Sequence, residues 1–182
     1  FVGDVMVGRS VDAARADDPP GAVWGDTLPF LDALDGLCCN LECALSTRGE
    51  RYPARTYYFR ADPSWAVPAL DRAGVAWTNL ANNHLLDFGA TALSDTVDAL
   101  ADAAIAASGA GEDVAAAREP ARTTIGGVDC AFVSLTDTAP RYAASRGSPG
   151  VAYLPLDRRH PTTSRVVPDL LDATRDADLT VA

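Results

Sequence analysis

Short apolar runs alternate along this chain with segments in which apolar residues recur every third or fourth position. Phe1 to Val7 is the first run and predicts a strand, with Gly3 and Asp4 near its exposed end. Gly8-Arg9-Ser10 turns away, and Val11 to Ala16 predicts a short helix closed by the breaker cluster Asp17-Asp18-Pro19-Pro20-Gly21. Thr27 to Leu34 carries Leu28, Leu31 and Leu34 at helical spacing, with Pro29 in the first turn, where it breaks no hydrogen bond, and Gly36 beyond the end. Leu37 to Leu41 has the character of a buried strand and runs into Asn40 and Glu42. Ser46 to Arg55 is polar and holds Gly49 and Pro53, hence a loop, and Thr56 to Phe59 predicts a short aromatic strand. Asp62-Pro63 opens a helix that runs to about Ala73, with Gly74 as its stop and Pro68 inside it as a point of kinking or division.

The second half continues the alternation. Val75 to Leu80 predicts a strand, and Ala90 to Ala104 a helix whose Leu93, Val97, Leu100 and Ala104 form one core-facing stripe. Ile105 to Ala107 is a brief strand and Glu112 to Arg118 a short helix. Arg122 to Ile125 and Val128 to Leu135 flank Gly126-Gly127, a strong hairpin signal. Asp137 to Pro149 is loop, Pro161 to Asp176 largely helix, and Asp178 to Ala182 a last strand. Strands alternating with helices predict an α/β layered architecture, and the hairpin adds an antiparallel element, so the sheet is mixed. No internal repeat divides residues 1–182, which form one domain. The chain begins and stops in strands, which predicts a fragment of a larger domain, cut at both ends.

Composition narrows the partners. Hydrophobic residues make up 48% and charged residues 22%, ordinary for a globular chain. No run approaches the ~20 apolar residues of a membrane-spanning helix. No signal peptide or spanning segment is read in these residues, and the expected location is cytoplasmic or cell-surface and membrane-associated. The net charge is −10, and all 15 basic residues are Arg, a balance that repels nucleic acid. Cys38, Cys39, Cys43 and Cys130 contain no Cys-x-x-Cys pair, which removes zinc-ribbon and thioredoxin chemistry and predicts buried thiols.

The chemistry gathers at strand ends. Asn79-Leu80-Ala81-Asn82-Asn83-His84 joins the strand at Val75 to the helix at Ala90 and is costly to bury, because each unpaired buried amide costs about 1–3 kcal/mol. Gly3-Asp4 and Asn40-Leu41-Glu42 stand at the ends of two other apolar runs. At one edge of parallel strands the three would converge. Asp4, Glu42, Asn83 and His84 would then offer two carboxylates, an amide and an imidazole, a set suited to Mn, Mg, Zn or Fe. Arg9 is a candidate for an anionic substrate group. His160, in a charged segment before a helix, is expected at the surface or in a cap. Gly109-Ala110-Gly111 lacks the third glycine of a dinucleotide fingerprint, Val114 standing in its place, and no Gly-x-Ser-x-Gly occurs.

At these residues the sequence resembles the CapA family of poly-gamma-glutamate capsule biosynthesis proteins, relatives of the calcineurin-like metallophosphoesterases. The resemblance rests on Gly3 to Arg9, Asn40-Leu41-Glu42, and Leu80 to His84 with Asp87-Phe88-Gly89, while Tyr58-Phe59-Arg60 and Asp95-Thr96 also look like family positions. It implies a four-layer αββα sandwich and, in the full-length protein, two divalent ions (Mn, Zn, Fe or Mg). Asp4 would ligate one metal, Glu42 would stand at the bridging position and Asn83 would ligate the second. His84 would be the catalytic His, while Asn40, Asn82 and Asp87 would orient the ligands. The implied activity is metal-dependent hydrolysis of a phosphate ester or an anionic polymer, with a membrane-associated capsule synthesis complex as partner. The alternative is a non-catalytic protein that binds or assembles the polymer. Met6 stands where the metallophosphoesterases carry a His, and Leu85 where an acid usually follows Asn-His. The family's later His-Trp-Gly and His-rich motifs are not in this chain. Weak or no metal binding, and no turnover, are therefore expected of it alone.

Overall fold

The structure, a computed structural model, describes residues 1–15 and 17–182. The chain runs β1 (Asp4–Val5), α1 (Ser10–Arg15), a 3-10 segment (Ala22–Thr27), α2 (Leu28–Leu31), β2 (Leu37–Leu41), β3 (Ala44–Leu45), β4 (Arg60–Ala61), α3 (Pro63–Arg72) and β5 (Val75–Asn79). It continues through α4 (Gly89–Asp102), β6 (Ala106–Ser108), β7 (Ala110–Gly111), α5 (Val114–Arg118), β8 (Ala121–Ile125), β9 (Val128–Phe132), a 3-10 turn (Pro140–Tyr142), β10 (Gly150–Val151), α6 (Pro161–Ala173) and β11 (Leu179–Val181). Ala16, the expected end of the first helix, lies outside the described residues.

Two sheets carry the fold. One is all parallel, in the order β1-β2-β5-β6, and the other is mixed, in the order β11-β9-β8, with β8 antiparallel to β9. Adjacent cysteines show how they stack. Side chains alternate along a strand, so Leu37, Cys39 and Leu41 share a core with Trp65, Leu70, Leu93 and Leu100 of α3 and α4. Cys38 points the other way and joins Trp77, Cys130 and Phe132 between the sheets. There the rings of Trp77 and Phe132 stack with centroids 4.3 Å apart. Behind the second sheet, Val166 and Leu170 of α6 pack with Val133 and Leu154. Helix, sheet, sheet, helix is the αββα order that the resemblance implies.

Several boundaries differ from the sequence pattern for local reasons. Only Asp4–Val5 of the first apolar run is regular strand, at the edge of its sheet; before it the Val2 N–H still donates to the Cys38 carbonyl at 2.9 Å, while Phe1 and Val2 lie exposed. The aromatic run Thr56 to Phe59 is not a strand; the paired residues follow it, Arg60–Ala61 against Ala44–Leu45. Pro68 does not divide α3. It sits on the exposed side, where Ser64, the residue whose carbonyl it leaves unpaired, also faces water. The Gly126-Gly127 turn forms as predicted, both residues having positive φ (58° and 83°), as a tight two-residue hairpin requires. His160 caps α6, its Nδ1 accepting from the Thr162 N–H at 3.3 Å.

All four cysteines are free and buried. Burial pushes the Cys39 and Cys43 thiols up to about 12, so almost no thiolate is present near neutrality. Both should resist iodoacetamide at about pH 8 in the folded chain and react once urea unfolds it, as mass spectrometry of the alkylated chain would show.

Candidate functional site

Four polar residues lie in one register row across the parallel sheet. Asp4 pairs with Asn40, Asn40 with Asn79, and Asn79 with Ser108. Asn40 follows Cys38 by two positions, so it shares the face turned toward the second sheet. The row is anchored at its inner end, where the Ser108 and Ser134 hydroxyls lie 2.8 Å apart and Trp77 Nε1–H donates to Ser108 at 3.1 Å. At its outer end Asp4 is exposed.

Asn40 is the centre of the row. Its Nδ2 donates to Asp4 Oδ1 at 2.8 Å and to Glu42 Oε1 at 3.3 Å. Its Oδ1 accepts from Asn79 Nδ2 at 2.7 Å and from Asn82 Nδ2 at 3.1 Å. Two donors and two acceptor sites are the full capacity of an amide. Asn82, buried, also donates to the Leu41 carbonyl at 2.9 Å. Its Oδ1 accepts the backbone N–H groups of His84 and Leu85 at 2.9 and 3.1 Å. That side chain therefore shapes the turn that presents Asn83 and His84.

His84 is held from three sides. Its ring stacks on Phe59 with centroids 3.9 Å apart. Its Nδ1 lies 2.8 Å from Asp87 Oδ2, and Arg55 Nη2 lies 3.2 Å from the same nitrogen. Asp87 has no solvent exposure; it also accepts the Phe59 N–H at 2.7 Å and pairs with Arg55 Nε at 2.9 Å. Arg55 in turn donates to the Asn83 carbonyl and, at 2.7 Å, to the Tyr142 hydroxyl. The shorter contact, to the Asp87 carboxylate, favours a proton on Nδ1, an N–H to which the donor-only Arg55 Nη2 cannot bond, and leaves Nε2 as the nitrogen available for chemistry. Asn83 and His84 line a cavity of about 330 Å3 together with Arg55, Tyr57 and Arg141.

The residues singled out in the sequence thus fall into two joined groups. Asp4, Asn40, Glu42 and Asn82 are hydrogen-bonded to one another, and Asn82 hands over to His84, Asn83 and Asp87. Among the described residues, no three of His, Cys, Asp and Glu converge on one point. Asp4 and Glu42 each give one oxygen to the Asn40 amide, and carboxylate oxygens of this kind are the donors a hard divalent ion takes. Arg9 stands apart, on the turn after β1, its guanidinium 5.2 Å from the Tyr57 ring centre and 5.7 Å from that of Phe59. Sequence reasoning gives Asp87 a ligand-orienting role but gives no role to Asn79 and does not pair Arg55 with Asp87. Asn79 was findable as the first Asn of its motif, in phase with the strand end. Nothing in a polar loop marks Arg55 as the partner of a carboxylate so far along the chain.

Residues 1–182 match the family model described as bacterial capsule synthesis protein PGA_cap. A probable polyglutamine synthesis accessory protein of Mycobacterium tuberculosis is 34% identical over 165 residues, which cover 87% of this chain and 43% of that protein. The PGA biosynthesis protein CapA of Bacillus subtilis is 26% identical over 183 residues, covering 100% of this chain and 46% of the relative. The capsule biosynthesis protein CapA of Bacillus anthracis is 30% identical over 153 residues, covering 82% and 37%. The chain spans less than half the length of these curated relatives.

Proposed function

The chain belongs to this family of bacterial capsule synthesis proteins, and from that membership we propose that it carries the carboxylate side of a divalent-metal hydrolytic centre. The substrate would be an anionic capsule polymer or a phosphate ester. One observation carries the reading: a single amide, Asn40, holds Asp4 and Glu42 at neighbouring strand ends and ties the Asn82-Asn83-His84 turn to them.

Asp4 and Glu42 would hold the metal, with Asn83 a ligand to a second ion. Bound Mn, Zn, Fe or Mg would supply Lewis acidity toward the scissile group. His84 Nε2 accepts a proton and delivers it to the departing atom, while Asp87 keeps the ring in the tautomer that leaves Nε2 free. Asn40 and Asn82 fix the directions of the carboxylates and the turn, and Arg9 would meet the negative charge of the substrate. In the full-length protein supplied with Mn2+, hydrolysis of bis-p-nitrophenyl phosphate should fall about 10²–10⁴-fold in Glu42→Ala and in His84→Ala. Undiminished turnover in both variants would remove the proposal.

A second reading, polymer binding or assembly without turnover, is favoured by Met6. Its thioether accepts the Gly8 N–H at 3.2 Å and is a poor ligand for a hard cation, at the position where the metallophosphoesterases use a His. Poly-glutamate binding that persists in a metal chelator, with no hydrolysis under any metal, would select it.

A further inference from the structure

We propose that an arginine-lined groove beside the His84 cavity binds a linear poly-carboxylate. A cavity of about 470 Å3 is lined by Arg9, Arg51 and Arg60 with Tyr57, Tyr58 and Phe88. Thr56 and Tyr57 line both this cavity and the one that holds Asn83 and His84, so the two adjoin. Arg55 and Arg141 line the second. In a chain of net charge −10, cations are gathered along one path.

Arg55 is taken by Asp87, but the other four guanidinium groups are held by aromatic rings rather than by acids. Arg9 lies 5.2 Å from the Tyr57 ring centre, Arg51 5.1 Å from Tyr58, Arg60 3.9 Å from Phe88, and Arg141 4.9 Å from Tyr142. None of the four pairs with a carboxylate among the described residues. A ring face orients a guanidinium without consuming its N–H donors, which stay free for a carboxylate fork. Arg60 gives one donor to the Arg48 carbonyl. Asp12, the one acid of the lining, already accepts from the Asp62 N–H at 2.9 Å and from Trp65 Nε1–H at 2.6 Å.

The fold builds this path through a close backbone approach. A Cβ on Gly8 would meet the backbone N and O of Arg60 at 2.8 Å, so only glycine lets the turn after β1 lie against β4 and set Arg9 beside Tyr57. Cations spread over two adjoining cavities match repeated charges on a chain better than one compact anion. Each ring in the groove already carries a guanidinium, and the chain as a whole is acidic, which disfavours base stacking and nucleic acid. The inference rests on the proposed function only in naming the ligand a polymer of carboxylates; the groove does not require the metal centre.

The test is fluorescence anisotropy of labelled poly-L-glutamate titrated with the protein in EDTA. Binding should weaken as salt is added. It should fall about tenfold or more in the Arg51→Gln/Arg60→Gln double variant and hold in Arg175→Gln, a surface control. Binding in EDTA, where no metal centre can form, separates this inference from the hydrolytic one. Far-UV circular dichroism checks that the double variant is folded; if it is not, Arg51→Glu alone carries the comparison. The proposal is overturned by no binding, by equal binding in the folded double variant or in Arg51→Glu, by displacement with inorganic phosphate at matched charge concentration, or by equal affinity for a single-stranded oligonucleotide.

Discussion

Replacing Asp87 with alanine is expected to cost the fold about 3–5 kcal/mol, read as a lower urea midpoint with an unchanged slope. Asp87 is fully buried and meets three groups at once: its Oδ2 accepts the Phe59 N–H and lies against His84 Nδ1, and its Oδ1 forms an ion pair with Arg55 Nε. The Arg55 side chain is only 8% exposed, so without Asp87 its charge has no carboxylate and little water. The cost comes mainly from that stranded charge. Arg55→Met combined with Asp87→Ala should therefore be less destabilised than Asp87→Ala alone, because the charge leaves with its partner. If the double variant is instead the weaker by the sum of the two single losses, the pair is not coupled as described. The same substitution frees His84 to turn on Phe59, so turnover in the full-length protein should fall with it.

Asn40→Ala is the second large effect. It removes both donors that steady Asp4 and Glu42 and the acceptor shared by Asn79 and Asn82. Asn82 keeps its bond to the Leu41 carbonyl, which limits the loss of stability to about 1–3 kcal/mol. The loss of metal affinity should be proportionately greater, about 10–100-fold, as for other residues that orient ligands. Asn40→Asp separates the two contributions. It keeps the acceptor for Asn79 and Asn82 but sets a third negative charge against Asp4 and Glu42. Its melting temperature should drop in low salt and recover partly as salt screens the repulsion. A melting temperature independent of salt would place the carboxylates farther from Asn40 than the geometry gives.

The legible parts of the molecule are those where one period dominates. β2, β5, α3, α4 and the β8–β9 hairpin follow directly from their apolar spacing and turn residues. The convergence of Asp4, Asn40 and the Asn82-Asn83-His84 turn follows from parallel strands ending at one edge. β3 and β4, each a two-residue strand, are too short for any period to show. The aromatic run at Thr56 to Phe59 has strand propensity, yet its rings serve as platforms for Arg9, Arg51 and His84 rather than as a ladder. The Arg55–Asp87 pair was hidden because a buried charge is recognisable only with its partner in place, and the partner arrives through the tertiary fold.

The most direct test of the central claim is a calorimetric Mn2+ titration of the full-length protein beside its Glu42→Ala and Arg9→Gln variants. If Asp4 and Glu42, steadied by Asn40, hold the ion, Glu42→Ala weakens binding by about tenfold or more while Arg9→Gln leaves it unchanged. Equal Mn2+ affinity in the parent and Glu42→Ala would contradict the account.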